Sequence, residues 1–218
     1  MTNDNIPLPD VHNQMDGLAL LDNFQDSTVA VAFLDPQYRG VLDKLAYGNE
    51  GARQIQRSQL PQMNTETIQA FLAELARVLR PSGHLFLWVD KFHLVTGVHP
   101  WIDGLPLEIV DMITWDKKRI GMGYRSRRQA EHLVVLQKLP KRAKGCWNDH
   151  SIPDVWSEKA SKGHAHTKPI DLQTRLIWAT TKPGDIVVDP AAGSYSVLEA
   201  CSAVGGLTFY GSDIEEAA

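Results

Sequence analysis

Residues 182–196 read Lys-Pro-Gly-Asp-Ile-Val-Val-Asp-Pro-Ala-Ala-Gly-Ser-Tyr-Ser, and this stretch decides the predicted fold. Its first four residues predict a turn, and the apolar segment Ile186–Val188 predicts a strand. A helix to about Val204, a turn at Gly205-Gly206 and a strand over Leu207–Tyr210 are predicted next. Strands that alternate with helices in this way are typical of a mostly parallel sheet with helices on both faces.

The earlier part of the chain extends the same pattern. Thr28–Leu34 is a continuous apolar run, which predicts a strand buried on both faces. Asn64 can cap a helix that runs to about Arg80, because apolar residues recur along one of its faces. Residues 81–83 are predicted to end this helix. Three strands are predicted over 84–89, 107–115 and 131–139, the last two antiparallel. An irregular segment over 141–166 and a helix over 170–181 follow. With 218 residues, the chain is predicted to form a single domain over 1–218.

Charge is distributed unevenly along the chain. The net charge is −4, but Lys117–Lys144 contains ten Lys and Arg against one acid, Glu131, a local charge of +9. The rest of the chain carries 12 bases and 25 acids. This asymmetry predicts one face that meets a polyanion, although a solvated charged face would give the same pattern. Arg39–Gln62 is polar and has no helical or strand period, which predicts a long functional loop.

Several features bear on location and metal content. The first ten residues lack the basic start and apolar run of a signal peptide, and the chain has no apolar run of the roughly 20 residues that cross a membrane. Cys146 and Cys201 form neither a metal pattern nor a disulfide framework. The histidines are scattered, so no metal site is predicted. These observations favour the cytoplasm, on the nucleoid if the polyanion is DNA.

The motif Asp35-Pro36-Gln37-Tyr38 follows the predicted buried strand. The exocyclic amine of a base is a poor nucleophile because its lone pair is delocalised into the ring. A carboxylate and a nearby backbone carbonyl, held rigid by proline, can grip both amine hydrogens and favour a tetrahedral nitrogen. Tyr38 offers a flat face on which an extruded base can stack. A plain strand-ending Asp-Pro turn is the competing interpretation.

The run Asp189–Ser196 lies between a predicted strand and a predicted helix. Small residues let the backbone approach a ligand closely, and the start of a helix supplies free amide donors. Asp213 follows the next strand, where an acid commonly binds ribose hydroxyls. A purely structural turn remains the alternative. The motif His166-Thr167-Lys168-Pro169 precedes another helix, where Lys168 could meet a carboxylate.

In this order, these motifs resemble the β-class amino-methyltransferases of DNA, the family of N6-adenine and N4-cytosine enzymes. In that family the catalytic motif precedes the cofactor motif, as Asp35 precedes Asp189 here. The resemblance runs from about Asp16 to the end of the chain and includes Trp115–Lys117 and Glu131–Val135. It implies a Rossmann-like α/β fold, with a mostly parallel seven-stranded sheet, a β-hairpin edge and the two motif-bearing strands side by side.

The resemblance also implies roles for individual residues. Asp35 and the Pro36 carbonyl would hold the target amine, Gln37 belongs to the same catalytic motif, and Tyr38 would stack on the base. The cofactor S-adenosyl-L-methionine would be bound by Asp16, Thr167, Lys168, Asp189, Pro190, Ala191, Gly193, Ser194 and Asp213. Within that set, Asp213 would bind its ribose and Lys168 its carboxylate end. The modified atom would be adenine N6, because an acid at position 35 goes mostly with adenine and a serine is frequent in cytosine-N4 enzymes.

Two groups of basic residues are predicted to contact the phosphates of double-stranded DNA. They are Arg39, Lys44, Arg53 and Arg57 in the long loop, and Lys117, Lys118, Arg119, Arg125, Arg127 and Arg128 near the strand pair. The inserts at about 39–62 and 140–166, where the family places target recognition, are short. They predict either a short recognition site or help from a second subunit in a homodimer.

The chain departs from the family pattern at three positions. Gln37 replaces a second proline, Ala191 replaces an aromatic residue of the cofactor loop, and Tyr195 replaces a later glycine. Tyr195 is expected either to fill the space that Ala191 leaves or to obstruct the pocket. Ala191 and Tyr195 leave open a second function, nucleic-acid binding without turnover. Cytosine-N4 methylation and amino-methylation of RNA or protein glutamine are further alternatives. The order of the motifs argues against the RNA or protein substrates.

Overall fold

The computed structural model describes residues 6–36, 63–121, 125–159 and 167–214. Within these ranges, eight strands form one sheet. The strands are β1 (His12–Gln14), β2 (Val29–Leu34), β3 (Leu79–Val89), β4 (Leu107–Asp116), β5 (Ala130–Lys138), β6 (Val155–Ser157), β7 (Ile186–Asp189) and β8 (Thr208–Asp213). The helices are α1 (Gly17–Leu21), α2 (Thr65–Val78), α3 (Lys91–Thr96), α4 (His99–Ile102), α5 (Ile170–Thr180) and α6 (Ser196–Val204). The predicted α/β class is confirmed.

The strands follow the order β1-β8-β7-β2-β3-β5-β4-β6 across the sheet. Neighbours from β1 to β3 are parallel, β5 is antiparallel to both β3 and β4, and β6 is parallel to β4. The two motif-bearing strands, β2 and β7, lie side by side, with Val31 opposite Val187. Five parallel strands end on the same side of the sheet: β1, β2, β3, β7 and β8. We call this side the carboxyl edge. β4 also ends there, and β5 begins there.

Helices cover both faces of the sheet, as predicted. All six residues of β2 are buried. One apolar cluster joins β2 to α2 and α4, and the other joins it to α5 and α6. Asn64 caps α2, since its Oδ1 accepts a hydrogen bond of 2.8 Å from the backbone N–H of Thr67. No helix among the described residues is long and apolar enough to span a membrane.

The sequence predicts that Pro81-Ser82-Gly83 end the helix and that the next strand begins at His84. The helix does end nearby, at Val78, but the predicted start of the strand is wrong. Residues 81–83 lie inside β3, which begins directly after α2. The ladder with β2 shifts register here, because Val29 is opposite Leu79 whereas Val31 is opposite His84. β3 therefore has three more residues than β2 in this interval, and the turn-forming residues interrupt the ladder without ending the strand.

The outer part of the sheet differs from the sequence-based expectation in two ways. The sheet has eight strands among the described residues, not seven, and the β4–β5 hairpin is not its edge. β6 lies within the segment predicted to be irregular and pairs with β4, Trp156 opposite Trp115. A strand of three residues is too short to show a period. The insert at 39–62 lies outside the described residues, and the single domain over 1–218 stays a prediction.

Candidate active site

Three acids from three adjacent strands meet at the carboxyl edge. Asp213 ends β8, Asp189 ends β7, and Asp35 directly follows β2. Because these strands are parallel neighbours, their ends bring the catalytic and cofactor candidates into one row. Asp189 is buried, whereas the side chain of Asp35 is 38% exposed.

Asp35 is held by an ion pair. One of its carboxylate oxygens, Oδ2, lies 2.8 Å from the ammonium nitrogen of Lys168, and Pro36 beside it is buried. Gln37 and Tyr38 lie outside the described residues. The grip on a target amine and the stacking of an extruded base therefore stay predictions.

Lys168 contacts a second carboxylate besides Asp35. Its ammonium nitrogen donates a hydrogen bond of 2.8 Å to Oε2 of Glu131 and lies 5.1 Å from the centre of the Trp88 ring. Burial opposes a charge on Lys168, but attraction by Asp35 and Glu131 outweighs it and raises the pKa above its usual value. The sequence had suggested a contact with the cofactor's carboxylate; in this structure the lysine contacts the protein's own carboxylates.

The loop after β7 is tied to β8 by backbone and side-chain hydrogen bonds. The N–H of Gly193 donates to Oδ2 of Asp213 at 2.9 Å, and the N–H of Ala192 donates to the carbonyl of Ser212 at 2.9 Å. Asp189 accepts a hydrogen bond of 3.2 Å from the N–H of Ala191. These contacts fix the residues predicted to bind the cofactor, including Pro190 and Ser194, between the ends of two strands.

α1 packs directly against this loop. A Cβ atom on Gly17 would lie 2.1 Å from the carbonyl oxygen of Pro190 and 2.7 Å from the ring of Phe71, so only glycine allows this approach. Asp16 is the N-cap of α1, and its Oδ1 accepts hydrogen bonds of 2.9 and 3.1 Å from the N–H groups of Leu18 and Ala19. Asp16, which is predicted to contact the cofactor, thus also caps α1.

Tyr195 does not fill the space that Ala191 leaves, and obstruction of the cofactor pocket stays a prediction. Its ring stacks on His12 at a centroid distance of 3.9 Å, and its hydroxyl exchanges hydrogen bonds of 3.1 Å with the backbone of Asn13. It belongs to the apolar cluster of α5 and α6, whereas Ala191 packs against the cluster on the opposite face. Tyr195 therefore joins the cofactor loop to β1.

The basic segment does not form one continuous face, so that prediction is wrong. β5 runs from the carboxyl edge to the opposite edge and carries the chain across the sheet. Six basic residues lie near the carboxyl edge: Lys117, Lys118, Arg119, Arg125, Arg127 and Arg128. Lys138 and Lys141 lie at the far edge, where they bind the carbonyl of Leu79 at 2.6 Å and the carboxylate of Glu108 at 2.7 Å.

The six basic residues at the carboxyl edge differ in exposure. Lys118, Arg119, Arg125 and Arg127 are exposed, and Arg128 is half-buried. Lys117 is half-buried as well, because it contacts Glu131 and lies 5.3 Å from the centre of the Trp115 ring. Four exposed cations are therefore well placed to meet phosphate. Arg39, Lys44, Arg53 and Arg57 lie outside the described residues.

Sequence reasoning missed Glu131 as a site residue. It contacts both Lys168 and Lys117, and although burial opposes its charge, attraction by these two lysines lowers its pKa to about 2. A signal was available, because Glu131 is the one acid in the segment from Lys117 to Lys144. An isolated acid among ten bases is expected to have cationic partners.

Asp189 makes the stability of the unliganded protein depend on pH. Burial raises its pKa to about 8, and the charges of Asp35 and Asp213 act in the same direction. The folded state therefore binds a proton that the unfolded state releases near pH 4, and this stabilising contribution is lost as the pH rises through about 8.

Substituting Asn for Asp189 is expected to flatten the fall in unfolding free energy between pH 4 and pH 8. The difference in slope should approach about 1.4 kcal/mol per pH unit, the value for one proton. Urea titrations of both proteins across this range provide the measurement. Parallel curves for the two proteins would contradict the assignment of the raised pKa to Asp189.

Comparison with known proteins assigns the chain to a family. The family model of the N6/N4 methyltransferases, described as DNA methylase, matches residues 29–218. The chain is 57% identical over 205 residues to the Type II methyltransferase M.HhaII of Haemophilus parahaemolyticus, which covers 93% of this chain and 90% of that protein. It is 22% identical over 201 residues to M2.MboI of Moraxella bovis, which covers 80% and 72%. The chain belongs to the N6/N4 DNA methylase family.

Solved structures share the fold. The PvuII DNA methyltransferase, described as cytosine-N4-specific, has a TM-score of 0.72 at 14% identity, with 94% of this chain and 81% of that chain covered. The complex of M1.HpyAVI with SAM has a TM-score of 0.66 at 18% identity, with 94% and 92% covered. The predicted methyltransferase fold is confirmed.

Proposed function

We propose that this protein is an S-adenosyl-L-methionine-dependent DNA methyltransferase that modifies adenine N6 in double-stranded DNA. The observation that carries the proposal is the position of Asp35. It follows β2 at the carboxyl edge, and β2 lies directly beside β7, which ends in Asp189. An amine held by Asp35 would lie next to a ligand bound on that loop.

The loop and its neighbours fit S-adenosyl-L-methionine. A Cβ on Gly193 would meet no atom of the described residues within 4 Å, so there is space beside the loop for a ligand. Asp213 ends β8 at the position where such folds bind ribose hydroxyls. A bound cofactor, whose sulfonium and ammonium groups are cationic, would favour the charged form of the buried Asp189 carboxyl. When bound, the cofactor supplies an electrophilic methyl group.

The chain's own residues prepare the amine. Asp35 accepts a hydrogen bond from one N–H of the exocyclic amine, and the Pro36 carbonyl accepts a hydrogen bond from the other, so that the lone pair leaves conjugation with the ring. Lys168 fixes Asp35 through their 2.8 Å ion pair and thereby limits the orientations of the carboxylate. This pre-organisation is the protein's contribution to the chemical step.

The choice of adenine rests on the acid at position 35. Family members with an acid here mostly act on adenine, whereas serine is frequent in the cytosine-N4 enzymes. Incubating DNA with protein and cofactor, digesting it and identifying the modified nucleoside by mass tests the choice. N6-methyladenine is expected. Detection of N4-methylcytosine would contradict the choice of adenine, and methylation of RNA or protein alone would contradict DNA as the substrate.

S-Adenosyl-L-methionine is expected to stabilise the folded protein. At 100 times the dissociation constant, the free energy of unfolding should rise by about 2.7 kcal/mol. Thermal unfolding with and without the cofactor measures the effect. The Asp213→Asn variant should respond less, because Asp213 is the ribose candidate. A folded sample that shows no shift in millimolar cofactor would rule out this site.

DNA binding is expected to depend steeply on salt through the exposed arginines of the carboxyl edge. Each phosphate contact contributes about 0.9 to the slope of log affinity against log salt. Replacing Arg125 and Arg127 with alanine should therefore lower the slope by nearly two such steps.

The double variant Lys141→Ala and Lys144→Ala is the matched control, because it removes the same charge from two exposed residues of the loop that follows β5. Fluorescence anisotropy with a labelled duplex at several salt concentrations compares the two. Equal slopes for both double variants would move the DNA contact away from Arg125 and Arg127.

A further inference from the structure

Four charged side chains of alternating sign form a chain that ends at the candidate catalytic carboxylate. Asp35 pairs with Lys168, Lys168 pairs with Glu131, and Glu131 contacts Lys117. The two contacts of Lys168 are both 2.8 Å long. Charges arranged in this order attract each neighbour, so each side chain restrains the next.

The members of this chain differ in how firmly the backbone holds them. Glu131 lies within β5, opposite Trp115 of β4, and β5 is also paired with β3. Asp35 follows the end of β2, and Lys168 precedes α5. Glu131 is thus held by its pairing with β4, and the next residue, His132, pairs with Val89 of β3. The two residues that it influences lie on connecting segments. It can act as the fixed point of the chain.

Aromatic rings complete the arrangement. Lys168 lies over Trp88 of β3, and Lys117 lies over Trp115 of β4, at 5.1 and 5.3 Å from the ring centres. Cations over indole rings are favourable, and both rings are buried in the sheet. Without Glu131, the two ammonium groups would lose the anion between them, and Lys168 would keep only Asp35 as an anionic partner among its ion pairs in the described residues.

We infer that Glu131 is a positioning residue for Asp35, acting through Lys168, and that Lys117 belongs to this unit and not to the DNA contact. The inference rests on the proposed methyltransferase function. It assigns a role to the isolated acid of the basic segment and removes Lys117 from the predicted phosphate contacts.

The first test is the Glu131→Gln variant, which keeps the size of the side chain and removes its charge. We expect kcat for DNA methylation to fall about 10- to 100-fold, the range that a small misplacement of a reacting group produces. KM for DNA and for the cofactor should stay within about threefold of the wild-type values. Glu131→Asp, which keeps the charge, should recover part of the loss.

Glu108→Gln is the matched control. Glu108 lies on β4, in the same hairpin as Glu131, and forms an ion pair with Lys141 at the far edge. Its substitution should leave kcat unchanged. A Glu131→Gln enzyme as active as this control would overturn the inference, and so would a rise in KM for DNA with kcat unchanged.

Lys117→Met separates the two roles of that lysine. If Lys117 belongs to the unit, the Lys117→Met substitution should lower kcat and leave the salt dependence of DNA binding unchanged. A salt slope lowered by about 0.9, with kcat unchanged, would show a phosphate contact and overturn this part of the inference.

A third measurement does not need methylation activity. Acetic anhydride modifies only unprotonated amines, so acetylation of Lys168, counted by peptide mass spectrometry against Lys141, reports on its partners. Glu131→Gln should raise the rate several-fold, and an unchanged rate would overturn the inference. If wild type and Glu108→Gln both fail to methylate DNA, the proposed function fails, while this measurement still decides whether Glu131 holds Lys168.

Discussion

Replacing Asp35 with alanine is expected to abolish nearly all methyl transfer while the fold and cofactor binding persist. Asp35 is the group that would hold the reacting amine, and removing one comparable oriented group costs about 3–4 kcal/mol of barrier, or roughly 100- to 1,000-fold in rate. Its side chain is 38% exposed and follows a fully buried strand, so the truncation leaves the core untouched. Single-turnover transfer of a labelled methyl group measures the rate, and calorimetry measures cofactor affinity.

Two comparisons sharpen this experiment. Asp103→Ala removes an exposed carboxylate after α4 and should retain wild-type turnover. Asp35→Asn keeps an acceptor oxygen but loses the charge that attracts Lys168, so its rate should lie between those of wild type and alanine. Near-full turnover by Asp35→Ala would show that another group holds the amine.

Replacing Lys168 with methionine is expected to reduce both activity and stability. The substitution leaves the carboxylates of Asp35 and Glu131 facing each other without the cation between them. Breaking a fully buried pair costs about 3–5 kcal/mol, and we expect about 1–3 kcal/mol here because both carboxylates are roughly one-third exposed. The rate should fall by about 100-fold, because Asp35 loses its orientation.

Lys168→Arg is the companion variant. It keeps the positive charge but not the compact ammonium that lies over Trp88, so it should restore stability more than activity. Chemical denaturation and methylation assays on the same preparations measure both. A methionine variant with wild-type activity would show that Lys168 does not orient the catalytic carboxylate.

The elements that sequence reasoning found share a strong local signal. β2 is buried along its whole length, and α2 has an apolar stripe and a capping asparagine. The elements that it missed are short: β1 and β6 have three residues each, and α1, α3 and α4 have five, six and four. Segments of this length are stabilised by the elements that pack or pair with them and carry no period of their own.

The candidate site divides along the same line. Asp35, Asp189 and Asp213 could be predicted, because each follows or ends a recognisable strand of a parallel sheet. The Glu131–Lys168 contact could not, since 37 residues separate the pair and Lys168 reaches Glu131 from a segment outside the sheet. The basic segment failed as one face for a related reason: a count of charges contains no information about the direction of a strand.

The position of β1 has a consequence for handling the protein. β1 covers the outer side of β8, where His12 lies opposite Gly211, and its backbone holds the Tyr195 hydroxyl. A shortened chain that starts at β2 would leave β8 as a bare edge strand, open to pairing with other molecules. It would also lose Gly17 from beneath the Pro190 carbonyl. Expression of such a fragment would therefore favour aggregated material, so shortened variants should keep β1 and α1.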